Sequence, residues 1–177
     1  GSLVDVYGVG LLFVGRSGIG KSECALDLVE RGHRLVADDL VYITRRGNDV
    51  LLCRGHELQR HHMEIRGIGI IDISALFGIR AIRQQKRLEV VVQLEEWNDR
   101  TYFDRTGLET DEVEILGVKV PKVTIPLNPG KNITVIAEVV AMNHLLKYAG
   151  THSAVLFNRR LQHAMRPARD YLEEDYE

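Results

Sequence analysis

The chain lacks the features that mark secreted, membrane-bound or nucleic-acid-binding proteins. Its 177 residues include only two cysteines, Cys24 and Cys53, which are far apart and lack metal-type spacing. No apolar run is long enough to cross a membrane, and no signal-peptide pattern is visible. A net charge of −2 gives no reason to expect nucleic-acid binding. We therefore expect a cytoplasmic protein, in a reducing compartment, that binds neither membranes nor nucleic acids.

The composition favours a single globular domain over residues 1–177. A hydrophobic content of 45% in a chain of this length is enough to bury a substantial core. Cys24 falls in a predicted helix, where we expect a core residue rather than a nucleophile. The first two residues, Gly1-Ser2, look like a cloning scar, in which case the chain is a fragment.

Residues 15–22 carry the most informative motif. They read GRSGIGKS, which fits the phosphate-binding P-loop pattern G-x-x-x-x-G-K-S. A strand-type segment, Val9–Val14, precedes the loop, and a helical pattern, Glu23–Arg31, follows it. Glycines allow positive φ, and inward N–H groups at a helix N-terminus favour a bound phosphate. The predicted binding residues are Gly15, Arg16, Ser17, Gly18, Ile19, Gly20, Lys21 and Ser22, with Lys21 on the β- and γ-phosphates and Ser22 on Mg²⁺. The alternative is a glycine-rich turn without a ligand.

Two adjacent aspartates, Asp38 and Asp39, close the next predicted strand, Arg34–Ala37. A strand end beside the loop could bring a carboxylate to Mg²⁺ or to a nucleophile. Neighbouring strand residues point to opposite faces, so we expect at most one of the pair to face the phosphates. Two close carboxylates also raise the pKa of one of them, which suits a group that takes up and returns a proton. The alternative is a solvated pair of loop acids.

Other candidates are weaker when judged from the residues alone. Glu64 could bind Mg²⁺, although its segment also reads as a surface stretch of salt bridges. Arg105 could neutralise a transferring phosphoryl group, and the loop at 126–131 could add a cation. His61 and His62 have no partner at metal spacing, so we interpret them as structural or surface residues.

The remaining pattern predicts a mixed sheet with helices packed on it, because few strands are followed by a crossover helix. Pro121 is expected to mark an edge or a turn. The predicted elements are a hairpin of Leu40–Thr44 and Val50–Cys53, strands at Leu88–Glu95, Val113–Val118 and Val123–Pro126, a short apolar segment at Ile133–Ala137, and helices at Glu138–Tyr148 and Ser153–Met165.

Five further blocks follow the P-loop in a fixed order. They are RGHRLVADD (31–39), EIRGIGII (64–71), FDR (103–105), PLNPGKN (126–132) and EVVAMN (138–143). Together with the P-loop, this set resembles the C-terminal catalytic domain of the HPr kinase/phosphorylase family, the bacterial HPr(Ser) kinases. The resemblance covers about residues 3–150, and the ordered set is far more specific than the P-loop alone.

The resemblance implies an α/β fold: a P-loop nucleotide-binding domain with a mixed β-sheet, similar to the phosphoenolpyruvate carboxykinase core. It implies phosphorylation of a serine on the carrier protein HPr by ATP or pyrophosphate with Mg²⁺, and the reverse phosphorolysis that yields pyrophosphate. It further implies a cytoplasmic bacterial homohexamer. On the same resemblance, we expect this chain to be a truncated part of the family's protein, without its separate N-terminal domain. A functional histidine that the family carries just upstream of the segment Leu3–Gly8 would then lie outside this chain.

Residue roles follow from the same resemblance, position by position. Asp39 would be the general base for phosphorylation and the acid for its reverse, with Asp38 beside it. Lys21 and Arg105 would be catalytic, and Ser22 and Glu64 would hold Mg²⁺. The segment 63–72 would serve both reactions. The loop mainly serving dephosphorylation would be Pro126, Leu127, Asn128, Pro129, Gly130 and Lys131.

Two other functions fit the P-loop. A nucleotide-dependent switch or sensor would bind nucleotide without labelling a protein, but the Asn-Lys-x-Asp motif that reads guanine is missing. A small-molecule kinase would need a lid or a second substrate domain, and neither is obvious in so short a chain.

Overall fold

The computed structural model describes residues 1–96, 110–127, 130 and 132–147. The chain divides into two compact units, Gly1–Ala141 and Met142–Glu177, and every contact described below lies within the first. The strands in the described residues are β1 (Ser2–Val6), β2 (Val9–Val14), β3 (Arg34–Asp38), β4 (Val41–Arg46), β5 (Val50–Gly55), β6 (His62–Ile65), β7 (Gly69–Asp72), β8 (Gln85–Arg87), β9 (Val90–Glu96), β10 (Thr110–Ile115) and β11 (Val118–Leu127). The helices there are α1 (Lys21–Glu30), α2 (Ile73–Phe77) and α3 (residues 133–147), with a 3₁₀ turn at Ile79–Ala81.

The main sheet has six strands in the order β10-β11-β9-β2-β1-β3. Strands β2, β9 and β11 are parallel, whereas β1 is antiparallel to both of its neighbours and β10 is antiparallel to β11. Small sheets β4-β5-β8 and β6-β7 complete the strand pairing of the described residues. The predicted α/β fold with a mixed sheet is confirmed.

Successive side chains of a strand point to opposite faces of the sheet. Apolar side chains on both faces of the main sheet are buried, so both faces are covered. Leu11 and Phe13 of β2 pack on one face with residues of α1 and α3. Leu12, between them, packs on the other face with Leu51 and Cys53 of β5. The P-loop strand is therefore held between a helical layer and a second sheet. None of the described helices combines the length and apolar character needed to span a bilayer.

The local predictions hold for most of the described elements. The hairpin β4–β5 is present, with its turn between Arg46 and Val50. The turn between β10 and β11 lies at Leu116-Gly117 and not at Pro121. Pro121 lies inside β11 at a position that pairs only with β10, so of the two predicted alternatives the edge is confirmed. The apolar segment at Ile133–Ala137 is the first part of α3, because the Asn132 side chain caps the helix by accepting from the N–H of Val135 at 3.2 Å. The helix at Ser153–Met165 lies outside the described residues.

Strand direction places the site at one edge of the main sheet. Because β1 runs antiparallel to both β2 and β3, these two strands run in the same direction and end at the same edge of the sheet. The carboxyl ends of β9 and β11 meet that edge too, because both strands are parallel to β2. Asp38 at the end of β3 and the P-loop after β2 are thus neighbours, although β1 lies between their strands.

Glu138 ties α3 to two turns at the opposite edge of the main sheet, where β2 and β3 begin. Its carboxylate lies 2.6 Å from Arg31 Nη2 and 2.7 Å from His33 Nε2, and it accepts a 3.1 Å hydrogen bond from the Tyr7 hydroxyl. The Glu138 side chain is only 6% exposed. Burial alone would raise the pKa of Glu138, but the hydrogen bonds from Arg31, His33 and Tyr7 outweigh it and lower the pKa to about 2.

We expect this carboxylate to make stability pH-dependent in acid. Because the folded pKa is depressed, the contribution of Glu138 is complete above the unfolded pKa of about 4.3 and is lost as the pH falls toward 2. Glu138→Gln should lower the free energy of unfolding by about 1–3 kcal/mol at pH 7. The gap between wild type and variant should shrink between pH 5 and pH 3, measured by urea unfolding. Glu30→Gln, an exposed change on α1, is the control, and a gap that stays constant with pH would contradict the assignment.

Candidate active site

The P-loop has the geometry that phosphate binding requires. Gly18 and Gly20 have φ of 83° and 113°, which other residues adopt only with strain. Gly20 is the N-cap of α1, and Cys24 is the first helical residue whose N–H bonds back to it, at 3.0 Å. The N–H groups of the first turn thus have no partner within the helix. Lys21 Nζ lies in the loop and donates to the carbonyl oxygens of Gly15 at 2.7 Å and Arg16 at 3.0 Å.

Asp38 is bonded directly to the last residue of the P-loop. Ser22 Oγ lies 2.9 and 3.0 Å from the two carboxylate oxygens of Asp38, and Ser2 Oγ donates to one of them at 2.5 Å. Burial raises the pKa of Asp38, while the hydrogen bonds from Ser2 and Ser22 oppose that rise. Asp38 is therefore a buried carboxylate that holds the Ser22 hydroxyl.

Asp39 sits in a different environment from its neighbour. Strand β3 ends at Asp38, and Asp39 turns into the left-handed region with φ of 66°. Its side chain is exposed, and both aspartates line the same cavity. Strand alternation does not govern this pair, because the chain has left the strand at Asp39. The expectation that at most one of the two faces the phosphates stays a prediction.

The cavity at this point, which we call the aspartate cleft, has a volume of about 200 Å³. The hairpin β6–β7 closes it opposite the P-loop. Alternation along β6 buries Met63 and Ile65 and leaves His62 and Glu64 on the exposed side. The residues lining the cleft are Ser22, Asp38, Asp39, Gln59, His62, Met63, Glu64 and Ile70.

The donor set of the aspartate cleft fits Mg²⁺. Ser22, Asp38 and Glu64 offer only oxygen atoms, which Mg²⁺ prefers. No group of three or more His, Cys, Asp or Glu side chains among the described residues could hold a metal. Mg²⁺ commonly takes one or two carboxylates and completes its shell with substrate phosphate and water. Ser22 and Glu64 could therefore hold the ion together with a bound phosphate.

Two residues near the P-loop were not assigned an individual role from the sequence. Arg66, in the β6–β7 turn, donates to the Gly18 carbonyl at 3.1 Å and lies 3.6 Å from Glu23, so its guanidinium sits over the P-loop. His62 lines the aspartate cleft and lies 3.7 Å from Asp72. His61 is buried, with Nε2 at 3.1 Å from the Arg83 carbonyl oxygen, as expected of a structural residue. Arg66 lies within the segment 63–72 that the sequence analysis selected, but it was given no role of its own. The sequence carried no signal for a role of His62, because its position depends on how the hairpin packs.

A second cavity, which we call the side cavity, lies against another face of α1 and has a volume of about 510 Å³. Its apolar lining is Ile19, Cys24, Leu94, Leu127 and Ile133. The rest of its lining is Gly20, Glu23, Asp27, Gly130, Asn132 and Thr134. The described part of the predicted dephosphorylation loop thus reaches this cavity, through Leu127 and Gly130.

Some of the remaining predicted residues lie in the described part of the chain and the others lie outside it. Cys24 is buried in the hydrophobic core, as predicted, and this burial raises the pKa of its thiol to about 12. Pro126 and Leu127 are the last two residues of β11, and the exposed Arg16 pairs with Glu96. The predicted site residues outside the described part of the chain are Arg105, Asn128, Pro129 and Lys131.

Comparison with known proteins gives consistent results. The family model described as HPr Serine kinase C-terminal domain matches residues 1–161. The HPr kinase/phosphorylase of Chloroherpeton thalassium is 62% identical over the whole of this chain and 55% of its own length. That of Thermoanaerobacter sp. is 53% identical over 91% of this chain and 53% of its own length. The chain thus spans about half the length of the curated relatives it matches.

One solved structure supports the same relationship. The Hpr(Ser) kinase/phosphatase from Coxiella burnetii superimposes with a TM-score of 0.78 at 32% sequence identity. The match covers 88% of this chain and 94% of the other.

Proposed function

Because the chain belongs to the family of HPr serine kinase C-terminal domains, we propose that it is the catalytic part of a serine kinase and phosphorylase acting on HPr. ATP or pyrophosphate would donate a phosphoryl group to a serine hydroxyl of HPr. In the reverse reaction inorganic phosphate would attack the phosphoserine and leave as pyrophosphate. The observation that carries the proposal is the aspartate cleft, in which the exposed Asp39 and the Ser22–Asp38 pair meet the P-loop.

In the forward direction, Asp39 accepts the proton of the serine hydroxyl as the oxygen–phosphorus bond forms and the donor's bridging bond breaks. In the reverse direction, Asp39 returns a proton to the serine oxygen as it leaves. One carboxylate serves both directions because they share a transition state. An exposed acid at the cleft can exchange protons with a substrate, whereas Asp38 is buried against Ser22.

Positive groups offset the charge that develops on the phosphoryl group. Lys21 and the free N–H groups of the first turn of α1 lie in the loop, and Arg66 lies over it. Arg105 is a further proposed contributor. When bound at Ser22 and Glu64, Mg²⁺ would neutralise phosphate charge. The proposed homohexamer and bacterial cytoplasmic location have only the family as support.

The test is an assay of the full-length protein with HPr and γ-labelled ATP. We expect label on a serine of HPr, and release of pyrophosphate after inorganic phosphate is added. ATP binding without protein labelling would favour a sensor domain, and strong guanine preference without transfer would favour a switch. Labelling of a metabolite in place of HPr would favour a small-molecule kinase.

A further inference from the structure

The side cavity and the aspartate cleft contact the same loop from different directions. An α-helix turns about 100° per residue, so Glu23 and Asp27 project from a different face of α1 than Ser22. Ser22 lines the cleft, whereas Ile19, Gly20 and Glu23 line the side cavity. The P-loop and the start of α1 therefore have a cavity on each of two sides.

This arrangement fixes the direction of a bound nucleotide under the proposed function, on which the inference rests. The terminal phosphate must point into the aspartate cleft, because the proton acceptor Asp39 lines it. The other end of the triphosphate, which carries the nucleoside, then leaves the loop on the side of Gly20 and Glu23. The side cavity is the space found there.

The walls of the side cavity suit a flat apolar group. Ile19, Leu94, Leu127 and Ile133 contribute aliphatic surface from the P-loop, two strand ends and the start of α3. A volume of about 510 Å³ is in the range of small-molecule sites, which are mostly apolar with a few placed polar groups. A nucleobase can pack between such side chains.

The polar groups and charges of the side cavity exclude a second phosphate and favour hydroxyl or amino donors. Glu23 and Asp27 line it, and no described lining residue is a lysine or arginine. Asp27 is exposed, and its carboxylate already accepts from Thr134 Oγ1 at 3.4 Å. Asn132 uses its side-chain oxygen as the cap of α3, so the group it has left for other partners is its NH₂ donor. Ribose hydroxyls can donate to the Asp27 carboxylate, whereas an anion would be repelled.

We propose that the side cavity holds the nucleoside of the nucleotide donor, with the base between Ile19, Leu94, Leu127 and Ile133 and the ribose hydroxyls on Asp27. Pyrophosphate has no nucleoside and leaves the side cavity unused. The side cavity thus distinguishes the two donors that the aspartate cleft treats alike.

The test compares ATP with inorganic tripolyphosphate, which has the same phosphates and no nucleoside. Calorimetry on the full-length protein with Mg²⁺ should show wild type binding ATP more tightly than tripolyphosphate. In Asp27→Ala and in Ile133→Ala, the Kd for ATP should rise about 10-fold, while the Kd for tripolyphosphate should change less than twofold. Glu30→Ala, an exposed acid on the same helix outside both cavities, is the matched control for Asp27→Ala.

A second measurement locates the base directly. Irradiation of the wild type with 8-azido-ATP should attach the nucleotide to peptides containing residues 19–27 or 127–134, read by mass spectrometry. Attachment confined to other peptides would overturn the proposal. So would equal binding of ATP and tripolyphosphate by the wild type, or parallel losses of both in the variants.

These outcomes separate this inference from the proposed function. If HPr is never phosphorylated but the variants selectively lose ATP, the nucleoside site stands and the kinase activity fails. If HPr is phosphorylated and the variants lose nothing, the kinase activity stands and the nucleoside site fails.

Discussion

Asp39→Asn should reduce HPr phosphorylation and phosphoserine phosphorolysis together, each by about 10²–10⁴-fold. The amide keeps the size and polarity of the carboxylate but cannot take the serine proton or return it. Since forward and reverse reactions pass through one transition state, loss of the proton acceptor in one direction is loss of the proton donor in the other. ATP affinity should change little, because the Asp39 side chain makes no hydrogen bond to the P-loop in the described residues.

The measurement is kcat in both directions, with the Kd for ATP from calorimetry. Asp49→Asn makes the same chemical change at the exposed β4–β5 turn, outside the residues that line the cleft, and should leave both rates as in the wild type. A nearly wild-type rate of Asp39→Asn in either direction would refute the assigned role. A loss in one direction only would mean that two different groups move the proton.

Lys21→Met should lower kcat/KM for the kinase reaction by about 10²–10³-fold. The methionine keeps the length and much of the apolar stem, but it removes the ammonium that lies within hydrogen-bond distance of the loop carbonyls of Gly15 and Arg16. Charge on the transferring phosphoryl group would then lack the cation that the P-loop itself supplies. Lys21→Arg should rescue little, because the planar guanidinium is larger than the space a compact ammonium occupies in the loop.

Steady-state kinetics with HPr and ATP give the comparison. The exposed Lys119→Met on β11 is the control for loss of one positive charge. A Lys21→Met enzyme within threefold of wild type would show that Arg66 or another cation carries the role alone.

Residues that act through local sequence were predictable. The P-loop needs glycines at set positions and a strand before it and a helix after it, and all of these are written in consecutive residues. The hairpin β4–β5 and the burial of Cys24 were predictable for the same reason. The start of α3 was not, because its apolar first turn looks like a strand until the cap at Asn132 is seen.

The environments of Asp38 and Asp39 could not be predicted. The pair looked like alternating strand residues, and the sequence did not reveal that β3 stops between them. Nor did it reveal that β1 would insert between β2 and β3 and still bring their carboxyl ends together. Arg66 reaches Gly18 across 48 residues of chain, and no spacing rule covers such a contact.

The order of short motifs along the chain was sufficient to predict a phosphate-binding loop, the α/β class and the family, because each motif is a local requirement that neighbouring residues meet. The tertiary structure alone decided which acid is buried against Ser22, which is exposed in the aspartate cleft, and that a second cavity flanks the loop. Those facts depend on strand direction and on packing between distant segments, and both are set by the burial of apolar surface across the whole unit.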